Sequence, residues 1–103
     1  MAYAYQLVLE FEGDDLASFD RVVALEESLV DALSSDLVDG HDFGQGIINI
    51  FIHSDDPERC FGEAMRLIDG AGQGLSAAAY RRLEEEGYVR VWPKDESRPF
   101  TLR

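Results

Sequence analysis

Five side chains of metal-ligand type lie between positions 41 and 56: His41, Asp42, His53, Asp55 and Asp56. Imidazole and carboxylate groups are common ligands of zinc and other divalent metals. The two histidines fall toward opposite ends of a predicted hairpin, and a strand rise of about 3.3 Å per residue puts them about 15–20 Å apart. We therefore predict no metal site and no cofactor, and we expect His41 and Asp42 to stabilise the hairpin by hydrogen bonding.

The candidate nucleophiles and glycine-rich segments lack the surroundings that catalysis needs. Cys60 is the single cysteine, and neither a thiolate-activating pattern nor a Gly-x-Ser-x-Gly elbow is present. Gly70, Gly72 and Gly74 do not follow a strand and lack the Lys-Ser/Thr ending of a phosphate-binding loop. The sequence supports no enzyme class, and we predict no catalytic residues.

The charge of the chain is strongly negative, with 21 acidic against 9 basic residues and a formal net charge of −12. Such a surface repels phosphate backbones, so direct binding to nucleic acid is not expected. The same charge favours docking on a basic protein, as an inhibitor or an immunity-type partner does. The alternative is that the acidity serves solubility alone.

The length of 103 residues predicts a single domain with its own core. We place that domain at residues 1–93 and expect a polar C-terminal tail at residues 94–103. No apolar run is long enough to span a membrane, and the first residues lack the basic flank and apolar block of a signal peptide. With its single free cysteine, the chain is expected to be cytoplasmic.

The first predicted elements are a strand and a helix. Residues 3–12 alternate between apolar and polar, which indicates a half-buried strand. Asp15 or Ser18 then caps a helix that runs to about Leu33. Its inward stripe, at three- and four-residue spacing, comprises Phe19, Val22, Val23, Leu29, Val30 and Leu33.

A hairpin over residues 38–57 is the strongest pattern in the sequence. Its second arm, residues 47–53, is almost wholly β-branched or aromatic, which is typical of an interior strand. A second helix follows, with Asp56 as its cap and Pro57 in its first turn. We assign the hairpin turn to Gly40, His41, Asp42, Gly44 and Gly46, because glycines tolerate positive φ.

Residues 75–86 leave two interpretations open. The alanine and glutamate runs favour a helix by propensity, with Gly87 as its end. Alternatively, Glu84–Gly87 forms the turn of a second hairpin, whose return strand is residues 88–92, closed by Pro93.

Three sequence features resemble a group of small uncharacterised bacterial ferredoxin-like proteins. They are an opening like residues 3–9, a Gly-His-Asp-x-Gly-x-Gly-x-x-Asn-Ile-Phe-Ile hairpin at residues 40–52, and a closing hairpin with Ala79-Tyr80-Arg81 and Trp92-Pro93. The resemblance implies the second hairpin and no activity. The resulting order is β-α-β-β-α-β plus a C-terminal strand, the ferredoxin-like α+β plan, with an antiparallel sheet and both helices on one face.

The other face of that sheet is the candidate binding surface. Strand alternation is expected to expose a mixed aromatic and polar set there: Asn49, Phe51, His53, Tyr88, Arg90 and Trp92. An aromatic centre with a polar rim is typical of a dimer interface, and we predict a homodimer through this face. Two alternatives are a small-molecule-sensing regulatory domain and a small dimeric monooxygenase-type enzyme with its pocket on this face.

Overall fold

The computed structural model describes residues 3–71, 74–93, 98–100 and 102. The fold is α+β, with one five-stranded antiparallel sheet and two helices. The sheet order is β2-β3-β1-β4-β5, so β1 is central and β2 and β5 are the edges. The strands are β1 (Tyr5–Glu12), β2 (Leu37–Gly44), β3 (Ile47–Ser54), β4 (Ala77–Arg82) and β5 (Val89–Trp92), and the helices are α1 (Leu16–Ala32) and α2 (Pro57–Ala71).

Strand β1 is more deeply buried than its alternating pattern predicts. It pairs with β3 on one side and β4 on the other. All five residues from Leu7 to Phe11 are buried, including Val8 and Glu10 on the face away from the helices. The sheet is therefore covered on both sides at its centre.

The two helices begin at the caps that the sequence predicts. The Asp15 carboxylate accepts from the Ser18 amide at 2.8 Å, and these hydrogen bonds lower the pKa of Asp15. At the start of α2, Asp56 accepts from the amide of Arg59 at 3.1 Å. Acceptors at these two positions satisfy amides that have no partner within the helix.

The inward stripe of α1 differs from the prediction at two positions, Leu25 and Val30. Leu25 is buried with Val22 and Leu29, whereas Val30 is 56% exposed. The buried residues follow spacings of three and four, and Val30 lies about 100° around the helix from Leu29. The stripe packs on residues from one face of β1 and β3 and on Cys60, Ala64 and Ile68 of α2.

The β2–β3 hairpin turns at Gln45 and Gly46, both with positive φ, 55° and 77°. Two such residues in a two-residue loop match the right-handed twist of the paired strands. The predicted turn was too wide, because Gly40, His41 and Asp42 lie within β2, paired with β3. Asp39 is an extra residue between the paired positions Val38 and Gly40, so positive φ at Gly40 belongs to a β-bulge.

The second hairpin is present, so the strand-and-turn interpretation of residues 75–86 is confirmed. Ala77, Ala78 and Ala79 pair with β1 despite their helix propensity. Sheet pairing and burial on both faces override a weak local preference for helix. None of the helices in the described ranges is long and apolar enough to cross a membrane.

Candidate binding surfaces

The register places most of the predicted surface residues on one face of the sheet, which we call the open face. Opposite the β3 residues Asn49, Phe51 and His53 stand Glu10, Val8 and Gln6 of β1, in that order. Residues directly opposite in antiparallel strands share a face. The predicted orientation of these three β3 residues is therefore confirmed, while their role in binding stays a prediction. The predicted exposure of Asn49 was wrong, because Asn49 is fully buried.

Trp92 is not on the open face, and that part of the predicted surface was wrong. The register of β5 runs from Arg90 opposite Ala79 to Trp92 opposite Ala78, which leaves Val91 as an extra, bulged residue. One inserted residue reverses the alternation of a strand. Arg90 thus keeps to the open face, whereas Trp92 packs with Phe61 of α2, at a ring-centroid distance of 6.4 Å.

The C-terminal segment covers the centre of the open face. Phe100 is only 7% exposed and forms a second core with Val8, Ala77 and Ala79. Tyr88 packs on it, with ring centroids 5.2 Å apart. Of the polar tail predicted at residues 94–103, residues 94–97, 101 and 103 lie outside the described ranges. The burial of Phe100 was not predicted, because a single aromatic residue in a polar segment carries no periodic signal.

Arginine side chains hold this covering segment in place. Arg90 Nε donates to the carbonyl of Arg98 at 3.1 Å, and the Arg90 guanidinium lies over the Phe100 ring at 5.6 Å. Arg81 Nε and the Tyr88 hydroxyl both donate to Gln6 Oε1, at 3.1 and 3.2 Å. These contacts fix polar groups of the open face to the chain itself.

The two histidines lie on opposite faces of the β2–β3 hairpin. His41, on the helix side, has Nδ1 at 2.9 Å from Glu26 Oε1 and its ring against Phe19. His53, on the open face, has Nε2 at 4.0 Å from the Asp39 carboxylate. The described residues contain no group of three or more His, Cys, Asp or Glu side chains arranged to hold a metal ion.

A charged cluster beside Cys60 joins β2 to α2. The buried Asp36 carboxylate accepts from Arg59 Nη2 at 2.8 Å, and Arg59 also pairs with Glu63. Burial, reinforced by Asp36, raises the pKa of Cys60 to about 12. The thiol is therefore protonated at neutral pH and lacks the thiolate character of a nucleophile.

The negative charge of the chain is concentrated on α1 and β2. Residues 13–46 contain nine of the 21 acidic residues and only one of the nine basic residues, Arg21. Seven of the nine acids are exposed, and we call these seven the acidic side: Asp14, Asp15, Asp20, Glu27, Asp31, Asp39 and Asp42.

The same two elements also carry exposed apolar side chains. Among the six large apolar residues that are most exposed in the described ranges, four lie on α1 and β2: Leu16, Val30, Leu37 and Phe43. Strand β2 is a sheet edge, blunted by the Asp39 bulge. Exposed apolar groups beside a free strand edge are typical of interaction sites, and clustered charge favours a partner of opposite charge.

Four arginines of α2, β4 and β5 form contacts outside the acidic side: Arg59, Arg81, Arg82 and Arg90. Arg59 pairs with Asp36 and Glu63, and Arg82 lies 3.9 Å from Glu84. Arg81 and Arg90 donate to backbone carbonyls. These four arginines therefore do not neutralise the acidic side.

A groove of about 530 Å³ lies between α2 and the edge strand β5. It was missed by the sequence analysis, because Trp92 reaches it only through the bulge at Val91. Its lining is mostly apolar and aromatic, with one carboxylate: Glu58, Phe61, Gly62, Met65, Val91 and Trp92.

Comparison of the chain with protein-family models, with curated proteins and with solved structures finds no match. The resemblance of the hairpin motif therefore stays a prediction. The functional argument has to come from the surfaces themselves.

Proposed function

We propose that this chain is a non-catalytic interaction module that binds a basic protein through its acidic side, as an inhibitor or immunity-type partner does. The observation that carries the proposal is the segregation of charge, with seven exposed acids on α1, on β2 and at the two positions before α1, and the described arginines, except Arg21, elsewhere. Clustered charge of one sign raises the association rate with an opposite surface by about 10–1,000-fold at low salt.

The arrangement of α1 supports a surface role for these acids. Asp20, Glu27 and Asp31 are exposed, at spacings of seven and four, so they form one stripe along the solvent side. Val22 and Leu29, on the opposite side, are buried in the core. The stripe therefore does not pack in the core, and a partner can contact it without disturbing the fold.

The scaffold for this surface is inferred to be the ferredoxin-like plan with an added fifth strand. The supporting observations are the element order β1-α1-β2-β3-α2-β4-β5 and the antiparallel placement of β3 between β1 and β2. In that plan the helices cover one face of the sheet, and α1 lies beside the β2 edge. The α1 stripe and the acids of β2 then lie near the same edge of the domain, with Asp42 on the open face opposite Asn49.

A non-catalytic role is favoured by the state of the candidate reactive groups. The Cys60 thiol is buried and its pKa is raised to about 12. His41 contacts Glu26 across two elements, and His53 lies on the other face of the sheet, so the two imidazoles do not converge. These groups serve packing and the fixing of strand β2 to α1.

The homodimer through the open face stays a prediction, and fewer exposed apolar residues support it than the sequence implied. Trp92 packs toward α2, and Phe100 already covers Val8 and Ala79. The apolar area left for a partner copy is thus smaller than the sequence pattern implied.

The test of the proposed function is capture of a partner on the immobilised chain from a native lysate, followed by elution in a rising salt gradient. We expect a protein of net positive charge that binds at low salt and elutes as salt screens the exposed charges, with a Debye length of about 10 Å at 0.1 M. Retention of nothing at low salt, or of proteins that salt does not release, would refute the proposal.

A further inference from the structure

The groove between α2 and β5 has the chemistry of a small-ligand site separate from the acidic side. Its volume, about 530 Å³, falls within the range of about 300–1,000 Å³ that is usual for small-molecule pockets. Phe61, Met65 and Trp92 are each only partly buried, so apolar surface faces the groove. Small-molecule sites commonly combine such a lining with one or a few polar anchors.

The polar anchor in this groove is the carboxylate of Glu58. Burial first, and then the charge of Glu58, raise the pKa of the neighbouring Tyr80 hydroxyl. A phenol that stays protonated can donate a hydrogen bond to that carboxylate. Arg59 and Arg82 are paired with other acids, so neither of these two arginines is the partner of Glu58.

Aromatic rings complete the recognition chemistry. The Phe61 and Trp92 rings are tilted by 43° with centroids 6.4 Å apart, and both line the groove. Faces of aromatic rings attract cations, tryptophan most strongly. Aromatic faces, a thioether and a carboxylate together favour a ligand that is apolar in its body and positively charged at one end.

We propose that the α2–β5 groove binds a small organic amine, with its aromatic or branched apolar body against Phe61, Met65 and Trp92 and its ammonium at Glu58. The net charge of −12 favours the approach of such a cation. An anionic analogue is repelled by the same carboxylate. This site is independent of the acidic side, so either proposal can fail without the other.

The single tryptophan of the chain makes the test specific to this groove. Trp92 emission is titrated with phenethylamine and, as matched probes, with 3-phenylpropionate and 3-phenylpropan-1-ol. N-acetyltryptophanamide is titrated in parallel to correct for collisional quenching. We expect a saturable change with the amine, a weaker response to the alcohol and none to the carboxylate.

Two variants separate the ionic and the apolar contacts. Glu58→Gln is expected to weaken amine binding by about twofold to fivefold, the range for an exposed ion pair, and to leave the alcohol unaffected. Gly62→Leu is expected to abolish the response by filling the groove. A Cβ at Gly62 has no heavy atom within 4 Å, so the fold tolerates this change, and Ala24→Leu on the exposed surface of α1 is the control for an added leucine.

Four results would overturn the proposal. One is the absence of a saturable change up to millimolar amine, and another is an equal response to the amine and the carboxylate. The third combines two measurements: Trp92 emission changes with protein concentration and not with amine, and light scattering gives a doubled mass. That result would make the groove an interface between copies of the chain. An amine response that persists in Gly62→Leu with a normal melting curve also contradicts it.

Discussion

Phe100 is the residue whose removal tests the structure of the open face most sharply. It is 7% exposed and rests on Val8 and Ala79, both fully buried. Full burial of a phenylalanine side chain contributes about 1.5–3 kcal/mol, so Phe100→Ala should lower the free energy of unfolding by about 2 kcal/mol. For a domain of about 100 residues this lowers the melting temperature by roughly 10 °C.

The assay is thermal unfolding followed by circular dichroism, with Leu102→Ala as the control from the same segment. Leu102 is 41% exposed, and we expect its truncation to change stability by less than about 0.5 kcal/mol. The loss in Phe100→Ala stays near 2 kcal/mol, because a terminal segment detaches locally without unfolding the sheet. Equal melting temperatures for the two variants would refute the contact between Phe100 and the sheet.

The remaining predictions concern the core, a close backbone contact and a buried thiol. Val22→Asp should abolish folding, because it buries an unpaired charge at a cost of several kcal/mol. Glu27→Lys, at an exposed site, should leave stability nearly unchanged. Far-ultraviolet circular dichroism of the two variants tests whether each is folded. Gly13→Ala should destabilise the fold by about 1–3 kcal/mol in urea titrations, since its Cβ would lie 2.5 Å from a side-chain atom of α1. Gly62→Ala, in an open helical position, should stabilise it by about 0.5–1 kcal/mol. A change in stability of the same sign for both variants would contradict the packing. Because the pKa of Cys60 is raised from 9.0 to about 12 on folding, the unfolded state loses its thiol proton first, and stability should fall as pH rises above 9.0, by up to about 1.4 kcal/mol per pH unit. The difference between wild type and Cys60→Ala in stability against pH isolates this effect, and parallel curves for the two proteins would disprove it.

Local patterns predicted the elements well where local physics determines them. The Asp15 and Asp56 caps and the apolar arm of β3 were readable from residue type and spacing, whereas the predicted turn included Gly46 but extended too far, back to Gly40. Caps and tight turns depend on a few neighbouring residues, so the sequence contains their full cause.

Features that depend on distant contacts were not readable in the same way. The bulge at Val91 moves Trp92 from the open face to the helix side of the sheet, and no residue type in β5 predicts that bulge. Phe100 covers Val8, Ala77 and Ala79 on the open face, a contact between residues far apart in sequence that is set by tertiary packing. The candidate groove follows from the same bulge, so it could not be found before the register was known.

The proposal for the acidic side rests on where the charge lies, so a comparison at constant net charge tests it most directly. The first variant neutralises the α1 stripe with Asp20→Asn, Glu27→Gln and Asp31→Asn. The matched control removes three charges from the exposed turn before β5 with Glu84→Gln, Glu85→Gln and Glu86→Gln.

Binding of the captured basic partner is then measured for the wild type and both variants across a range of salt concentrations. The account predicts that the α1 variant loses about tenfold in affinity at low salt and much of the salt dependence, while the control stays close to wild type. Equal losses in the two variants, or unchanged binding in the α1 variant, would contradict the acidic side as the docking surface.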